Sequence, residues 1–231
     1  MKLGLDLSLK DNAKVLTWAP SDETDVEFWY KFNTGFALTD GNVNKWADQS
    51  GENNHAIQTT AAEQPALVNG YKVEFDGSDD HFDLTTQITM AGEFTLGMYV
   101  NINSAGGTLI ADNTTSGEFM KLFSNTRIRV KINNVTLDLD IDSGTMIGAD
   151  NYLVITRGTV SGVDDTLEFY WNGVKQADTG VLGGTADIDV IGIRKADINP
   201  YDGIIYEAML FQTSSEALTN NINLRLGTLP L

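Results

Sequence analysis

The stretch Arg127 to Asp142, RIRVKINNVTLDLDID, constrains the fold more than any other part of the chain. Apolar and polar residues alternate on both sides of Asn133-Asn134, and a period of two marks a strand with one buried face. Asn tolerates positive φ better than most residues, so a two-residue Asn-Asn loop suits a tight primed turn. That reading predicts a hairpin pairing Ile132 with Val135, Arg129 with Asp138 and Arg127 with Asp140. A second hairpin is written in LEFYWNGVKQ, where Asn172-Gly173 pairs Trp171 with Val174. Further period-two runs cover Val26 to Phe32, Phe94 to Ile102, Tyr152 to Arg157, Leu167 to Trp171 and Ile204 to Phe211, separated by Gly, Asn and Asp clusters. Only Ser214 to Arg225, with Ala217, Leu218 and Ile222 apolar, offers a short helix. The pattern predicts an all-β chain, an antiparallel β-sandwich with a short C-terminal helix.

No linker, low-complexity tract or repeat divides the 231 residues. Residues 16–231 therefore read as a single sandwich domain, preceded by residues 1–15 as an N-terminal arm or first strand. In the arm, Leu3, Leu5, Leu7 and Leu9 share one side of an extended segment, suited either to a neighbour's sheet edge or to the sandwich itself. With 32 Asp and Glu against 15 Lys and Arg, the formal charge is -17, which repels nucleic acid and anionic membrane surfaces. Without cysteine there is neither a disulfide framework nor a thiolate metal site. No apolar stretch approaches the ~18 residues of a membrane span, so no membrane insertion is expected. The beginning MKLGLDLSLKDNAK lacks the apolar run of a secretion signal, so the chain is expected to be either unexported by that route or supplied without its leader.

The most tempting catalytic pattern is the alternation of Asp138, Asp140 and Asp142 with Leu137, Leu139 and Ile141, which puts three carboxylates on one face. The hairpin register gives two of them cross-strand arginines, which hold a carboxyl ionised and spoil a general acid. No Glu lies in the stripe to complete a glycosidase pair. His55 has no Cys or G-x-S-x-G nucleophile to partner and reads as a loop-packing or capping residue. His81 lies among Asp76, Asp79, Asp80 and Asp83, which is either a charged turn or a hard-cation site. Trp18, Trp29 and Trp46 could stack on a sugar ring or anchor the core.

The ordered segments NKWADQSGENNHAIQ, QPALVNGYKVEFDGSDDHFDL, FTLGMYVNI, LEFYWNGVKQ and YDGIIYEAMLF resemble the laminin-G-like modules of the concanavalin A-like lectin and glucanase superfamily, over about Trp18 to Leu226. The resemblance implies a jelly roll of two curved sheets. It implies that Trp46, Asp48, Ser50, Gly51, Asn54 and Ala56 form a structural loop signature, with Asp48 accepting hydrogen bonds from loop amides. Some relatives carry calcium, which would place Asp76, Asp79, Asp80 and Glu207 as candidate ligands. Trp46, Asp48, Asn54 and His55 are the candidate ligand-binding residues.

Three functions follow as expectations. Modules of this kind with a leucine-alternating arm resemble virion proteins of bacterial viruses. The first expectation is therefore a non-enzymatic capsid-decoration or tail component, assembled in the host cytoplasm, with other virion proteins, further copies of itself and cell-surface glycans as partners. The second is a carbohydrate-binding module, intracellular assembly then giving way to an extracellular setting. The third, a glycoside hydrolase, lacks its acid pair.

Overall fold

Both hairpins form in the register read from the sequence. In the computed structural model, which describes residues 18–114, 117–194 and 198–230, Ile132 lies opposite Val135, Arg129 opposite Asp138 and Arg127 opposite Asp140. Trp171 lies opposite Val174. Asn133 and Asn134 take φ of 47° and 63°, and Asn172 and Gly173 take 49° and 78°, the left-handed pairs that a two-residue primed turn requires. The arm carrying Leu3, Leu5, Leu7 and Leu9 lies outside the described residues.

The described strands are, in chain order, β1 (Val26–Tyr30), β2 (Phe36–Thr39), β3 (Asn42–Trp46), β4 (Ala56–Ile57), β5 (Ala66–Val68), β6 (Lys72–Asp76), β7 (Phe82–Met90), β8 (Phe94–Ile102) and β9 (Thr108–Ala111). They continue with β10 (Phe119–Ser124), β11 (Arg127–Ile132), β12 (Val135–Asp140), β13 (Asp150–Val160), β14 (Val163–Trp171), β15 (Val174–Val181), β16 (Ala186–Ile191) and β17 (Asp202–Phe211), and the chain closes with α1 (Glu216–Gly227). Every pairing between these strands is antiparallel.

β17 is the centre of one layer, bonded to β8 along one edge and to β1 and β6 in succession along the other. The layer continues through β13 and β14 to β15. The facing layer runs β4, β7, β16, β9, β10, β11, β12. On one side β5 and β3 connect β6 to β4. On the other, side chains bridge β12 and β15: Asp142 accepts from the Ala177 amide, Gln176 from the Asp142 amide and Asp178 from the Asp140 amide. The outcome is one antiparallel sheet curled nearly into a barrel. Phe28, Trp46, Phe75, Phe82, Phe94 and Phe169 fill its interior.

The expected strand Val26 to Phe32 stops at Tyr30, because the Phe32 amide leaves the ladder to donate to Glu207 Oε2 at 3.0 Å and Asn33 turns the chain with φ of 53°. Strands such as β2 and β4 escape the periodicity reading because one is largely exposed and the other is two residues long. No helix among the described residues is long and apolar enough to cross a membrane.

α1 begins one residue after its cap, Ser215, whose Oγ accepts the Leu218 amide at 3.0 Å. Leu218, Ile222 and Leu226 recur every four residues and pack on Val154, Met209 and Phe211, on the outer face of the β17 layer. Gly97 in β8 permits that contact: a Cβ there would lie 2.5 Å from Ile222 Cγ2 and 3.3 Å from Met209 Cγ. Gly97→Ala is therefore expected to cost about 1–3 kcal/mol by overpacking. Gly92→Ala, where a Cβ meets open space, is expected to be near neutral. Urea unfolding of the two variants checks the difference.

Candidate functional site

The loop after β3 is built around Asp48. Its Oδ1 accepts the amides of Trp29 and Ser50, both at 2.8 Å, and its Oδ2 accepts the Ser50 hydroxyl at 2.6 Å and the Asn54 amide at 3.1 Å. His55 Nδ1 in turn accepts the Asp48 amide at 3.1 Å. Asn54 takes the Tyr30 hydroxyl on its carbonyl at 2.7 Å and the Thr86 amide on its side chain at 3.1 Å. Trp46 packs between Tyr30 and Phe36 and donates to the Thr34 carbonyl at 3.0 Å. These groups stitch β1, β3 and β7 together, as the loop signature implied, and Trp46, Asp48 and Asn54 are buried. Trp29 is buried as well, held between Lys31 and Arg225, and Trp18 leans on Phe211.

The aspartates expected to take a cation do converge: carboxylate oxygens of Asp76, Asp79 and Asp80 lie within 4.8 Å of one another. Gly77 turns the chain at φ of 75°, Ser78 donates its amide to Asp76 Oδ1 at 2.8 Å and Asp76 donates its own to Asp80 Oδ2 at 2.9 Å. The set suits a hard cation such as calcium. Burial pushes the Asp80 carboxyl up to about 6; the Asp76 amide opposes this and the Asp76 and Asp79 carboxylates add to it. His81 is not one of the converging groups: its ring lies between Gln58 Nε2, 2.9 Å from Nε2, and the Asp79 carbonyl, 2.8 Å from Nδ1. Glu207 does not belong there, contrary to the expectation. It lies five residues along β17 from Asp202, the residue opposite Asp76, and its carboxylate receives Trp29 Nε1 at 2.8 Å, the Phe32 amide and Arg225 Nε.

The acidic stripe of β12 is spent on arginine. Arg127 grips Asp140 at 2.8 and 2.6 Å, and Arg129 grips Asp138 at 2.6 and 2.8 Å. Those hydrogen bonds hold both carboxyls below the usual range, so neither is a proton donor near neutral pH.

A concavity among the described residues lies elsewhere. A cleft of about 580 Å³ opens on the outer face of the β17 layer, between the start of α1 and strands β13 to β15. Its floor comes from register: Thr156 sits opposite Glu168, and Tyr170 opposite Lys175. Lys175 pairs with Glu168 Oε1, and the Tyr170 hydroxyl donates to Oε2 at 3.2 Å. Burial, then the Glu168 charge and hydrogen bond and the Glu216 charge, push the Tyr170 phenol up to about 12, so it stays a neutral donor. The wall is Ser214, Glu216 and Glu93, whose Oε2 accepts the Ser214 amide at 3.3 Å. Gly158 makes this approach possible, because a Cβ there would lie 2.1 Å from Ser214 Oγ. The alternating runs hold Thr156, Glu168 and Tyr170 without marking them as a site. The Asn172-Gly173 hairpin was the signal, since its register already sets Tyr170 beside Lys175.

No protein-family model matches the chain, and no curated protein matches it significantly by sequence. Solved structures do share its fold. The binding domain of Paraclostridial Mosquitocidal Protein 1 superposes with a TM-score of 0.61 at 14% identity, over 89% of this chain and 52% of that one. Domain 4 of a GH43 extracellular arabinanase from Geobacillus stearothermophilus, solved with arabinotriose, gives 0.59 at 13% identity over 86% and 98%. The ligand binding domain of botulinum neurotoxin serotype D, solved with N-acetylneuraminic acid, gives 0.59 at 12% over 87% and 50%. The chain thus spans about half of the two toxin domains and nearly all of the arabinanase domain.

A protonated Asp80 stabilises the fold when its carboxyl titrates near 6 folded and near 3.8 unfolded. That stability is present at the low end of this window and is lost as pH rises through about 6. Asp80→Asn is expected to flatten the pH dependence of the melting temperature between about 4 and 6. Calcium is expected to stabilise the native chain at pH 7 by mass action, by about 2.7 kcal/mol at a hundredfold excess over Kd, and so raise its melting temperature, an effect lost in Asp80→Asn. Identical melting in millimolar calcium and in excess chelator removes the cation role.

Proposed function

We propose that this chain is a carbohydrate-binding module that holds a sugar in the cleft between α1 and β13 to β15 and does not cleave it. The observation that carries the reading is the makeup of that cleft: a cavity of about 580 Å³ in which one aromatic ring, Tyr170, stands among hydroxyl, carboxylate, amide and ammonium groups. The volume falls within the ~300–1,000 Å³ of small-ligand sites. Sugar hydroxyls donate and accept at once, so they are met by Thr156, Ser214 and Asn220 together with the Glu93 and Glu216 carboxylates. The Tyr170 ring supplies an apolar face for the C–H side of a pyranose or furanose.

The reading is supported by structural likeness to an arabinanase domain solved with arabinotriose and a neurotoxin domain solved with N-acetylneuraminic acid. It fits the jelly-roll arrangement implied by the concanavalin A-like resemblance. Binding without cleavage is supported by the cleft carboxylates that are already engaged: Glu168 is held by Lys175 and Tyr170, and Glu93 accepts the Ser214 amide. The virion role rested on the arm of Leu3, Leu5, Leu7 and Leu9, which lies outside the described residues; the likeness to sugar-complexed domains favours glycan binding as the primary reading.

Titration calorimetry against arabino-oligosaccharides and sialylated oligosaccharides tests this. Tyr170→Ala is expected to weaken binding at least tenfold, about 1.4 kcal/mol, while circular dichroism stays native. No reducing ends should be released on prolonged incubation. Binding unchanged in Tyr170→Ala excludes the cleft, and sugar release abolished by Glu168→Gln makes the chain a hydrolase.

A further inference from the structure

Strand β10 carries Phe119, Lys121 and Phe123 on its outer face while Met120 and Leu122 point into the core. Its register with β11 sets Lys121 directly opposite Arg129. Like charges opposite one another across a ladder are destabilising, and here they stand in a chain of net charge -17 with abundant carboxylates for pairing. Arg194, just past β16, joins them. Its guanidinium lies 4.7 Å from the Phe119 ring centre, Lys121 Nζ lies 5.5 Å from Phe119 and 5.7 Å from Phe123, and the Arg129 guanidinium lies 3.5 Å from Phe123. The contacts run from Arg194 through Phe119, Lys121 and Phe123 along β10 to Arg129 on β11.

Among the described residues, two of the array's cations have no counter-charge. Arg129 is matched by Asp138, but among the described residues neither Lys121 nor Arg194 forms an ion pair. Lys121 reaches only the neutral Asn199 Oδ1, at 3.4 Å. Arg194 Nε is buried without a hydrogen-bond partner among the described residues. Burial and the neighbouring Arg194 and Arg129 charges push the Lys121 ammonium below its usual value. Phe123, with the Arg129 guanidinium over its ring, is 40% exposed at the edge of the array.

We infer that the outer face of β10 and β11 is a second binding surface, for the uronic-acid residues of an anionic polysaccharide. A sugar ring stacks on Phe123 while its carboxylate enters between Lys121 and Arg194. A planar carboxylate fits the guanidinium fork, and it supplies the charge that Lys121 and Arg194 lack among the described residues. A neutral sugar satisfies the rings and leaves the cations unmatched. The inference takes its ligand class from the glycan reading, but the surface lies on the layer opposite the Tyr170 cleft and shares no residue with it.

Surface plasmon resonance of the full chain over immobilised polygalacturonate, dextran, dextran sulfate and polyglutamate tests it. Binding to polygalacturonate is expected at 50 mM salt and should weaken several-fold at 200 mM as exposed charges are screened. Lys121→Gln/Arg194→Gln should lose it at least tenfold with a native circular dichroism spectrum. Lys45→Gln, which removes a cation from the distant strand β3, and Tyr170→Ala should keep it. Retention by the double variant overturns the surface. Equal binding to polyglutamate reduces it to charge attraction and overturns the sugar, and preference for dextran sulfate overturns the carboxylate. If Tyr170→Ala leaves oligosaccharide binding intact while the double variant loses polygalacturonate, the cleft reading fails and this one stands.

Discussion

The arrangement of the molecule depends on one buried carboxylate. Glu207 is fully inside, in the middle of the central strand β17, and it collects the Trp29 indole N–H, the Phe32 amide and the Arg225 guanidinium. Three segments are thereby fixed at once: β1 against β17, the chain leaving β1, and α1 across the outer face. Arg225 also lies 4.6 Å over the Trp29 ring, so the cation is held by charge and by quadrupole together. A buried charge missing one partner is costly, typically about 3–5 kcal/mol, which makes this junction all-or-none. The position of α1 decides where Ser214 and Glu216 stand, and the cleft exists only because they stand over Gly158 and Tyr170.

Charge is distributed by register rather than by composition. A chain of net charge -17 still gathers Lys121, Arg127, Arg129 and Arg194 on one side of the facing layer. Two of these are neutralised by the alternating aspartates of β12, opposite them across the Asn133-Asn134 turn. The same alternation that looks like a catalytic stripe in the sequence is thus an ion-pair ladder. The cations beyond its reach remain beside phenylalanine, where ring faces offset part of the lost hydration.

Much of the fold was legible in the sequence because its determinants are local. Asn133-Asn134 and Asn172-Gly173 fix turn type, turn type fixes register, and register fixes which side chains meet, so the Arg127–Asp140 and Arg129–Asp138 pairs needed no tertiary information. The role of Asp48 came from the resemblance of its loop to a known signature, and most of its partners do lie within six residues. The role of Glu207 was not legible. Its partners lie 175 and 178 residues upstream and 18 downstream, and an acid in an apolar strand reads equally well as a metal ligand.

What the sequence determined by itself was therefore an antiparallel all-β chain, its two tight hairpins, the structural nature of the Asp48 loop and the neutralised aspartate stripe. What tertiary structure decided was the near closure of the sheet, the placement of α1, the cleft and the cation-ring array. The first set depends on φ preferences and on an alternation of period two, which act within about ten residues. The second depends on which distant strands share a face. The Tyr170 cleft joins side chains from Glu93 to Asn220, and only the folded sheet brings them to one place.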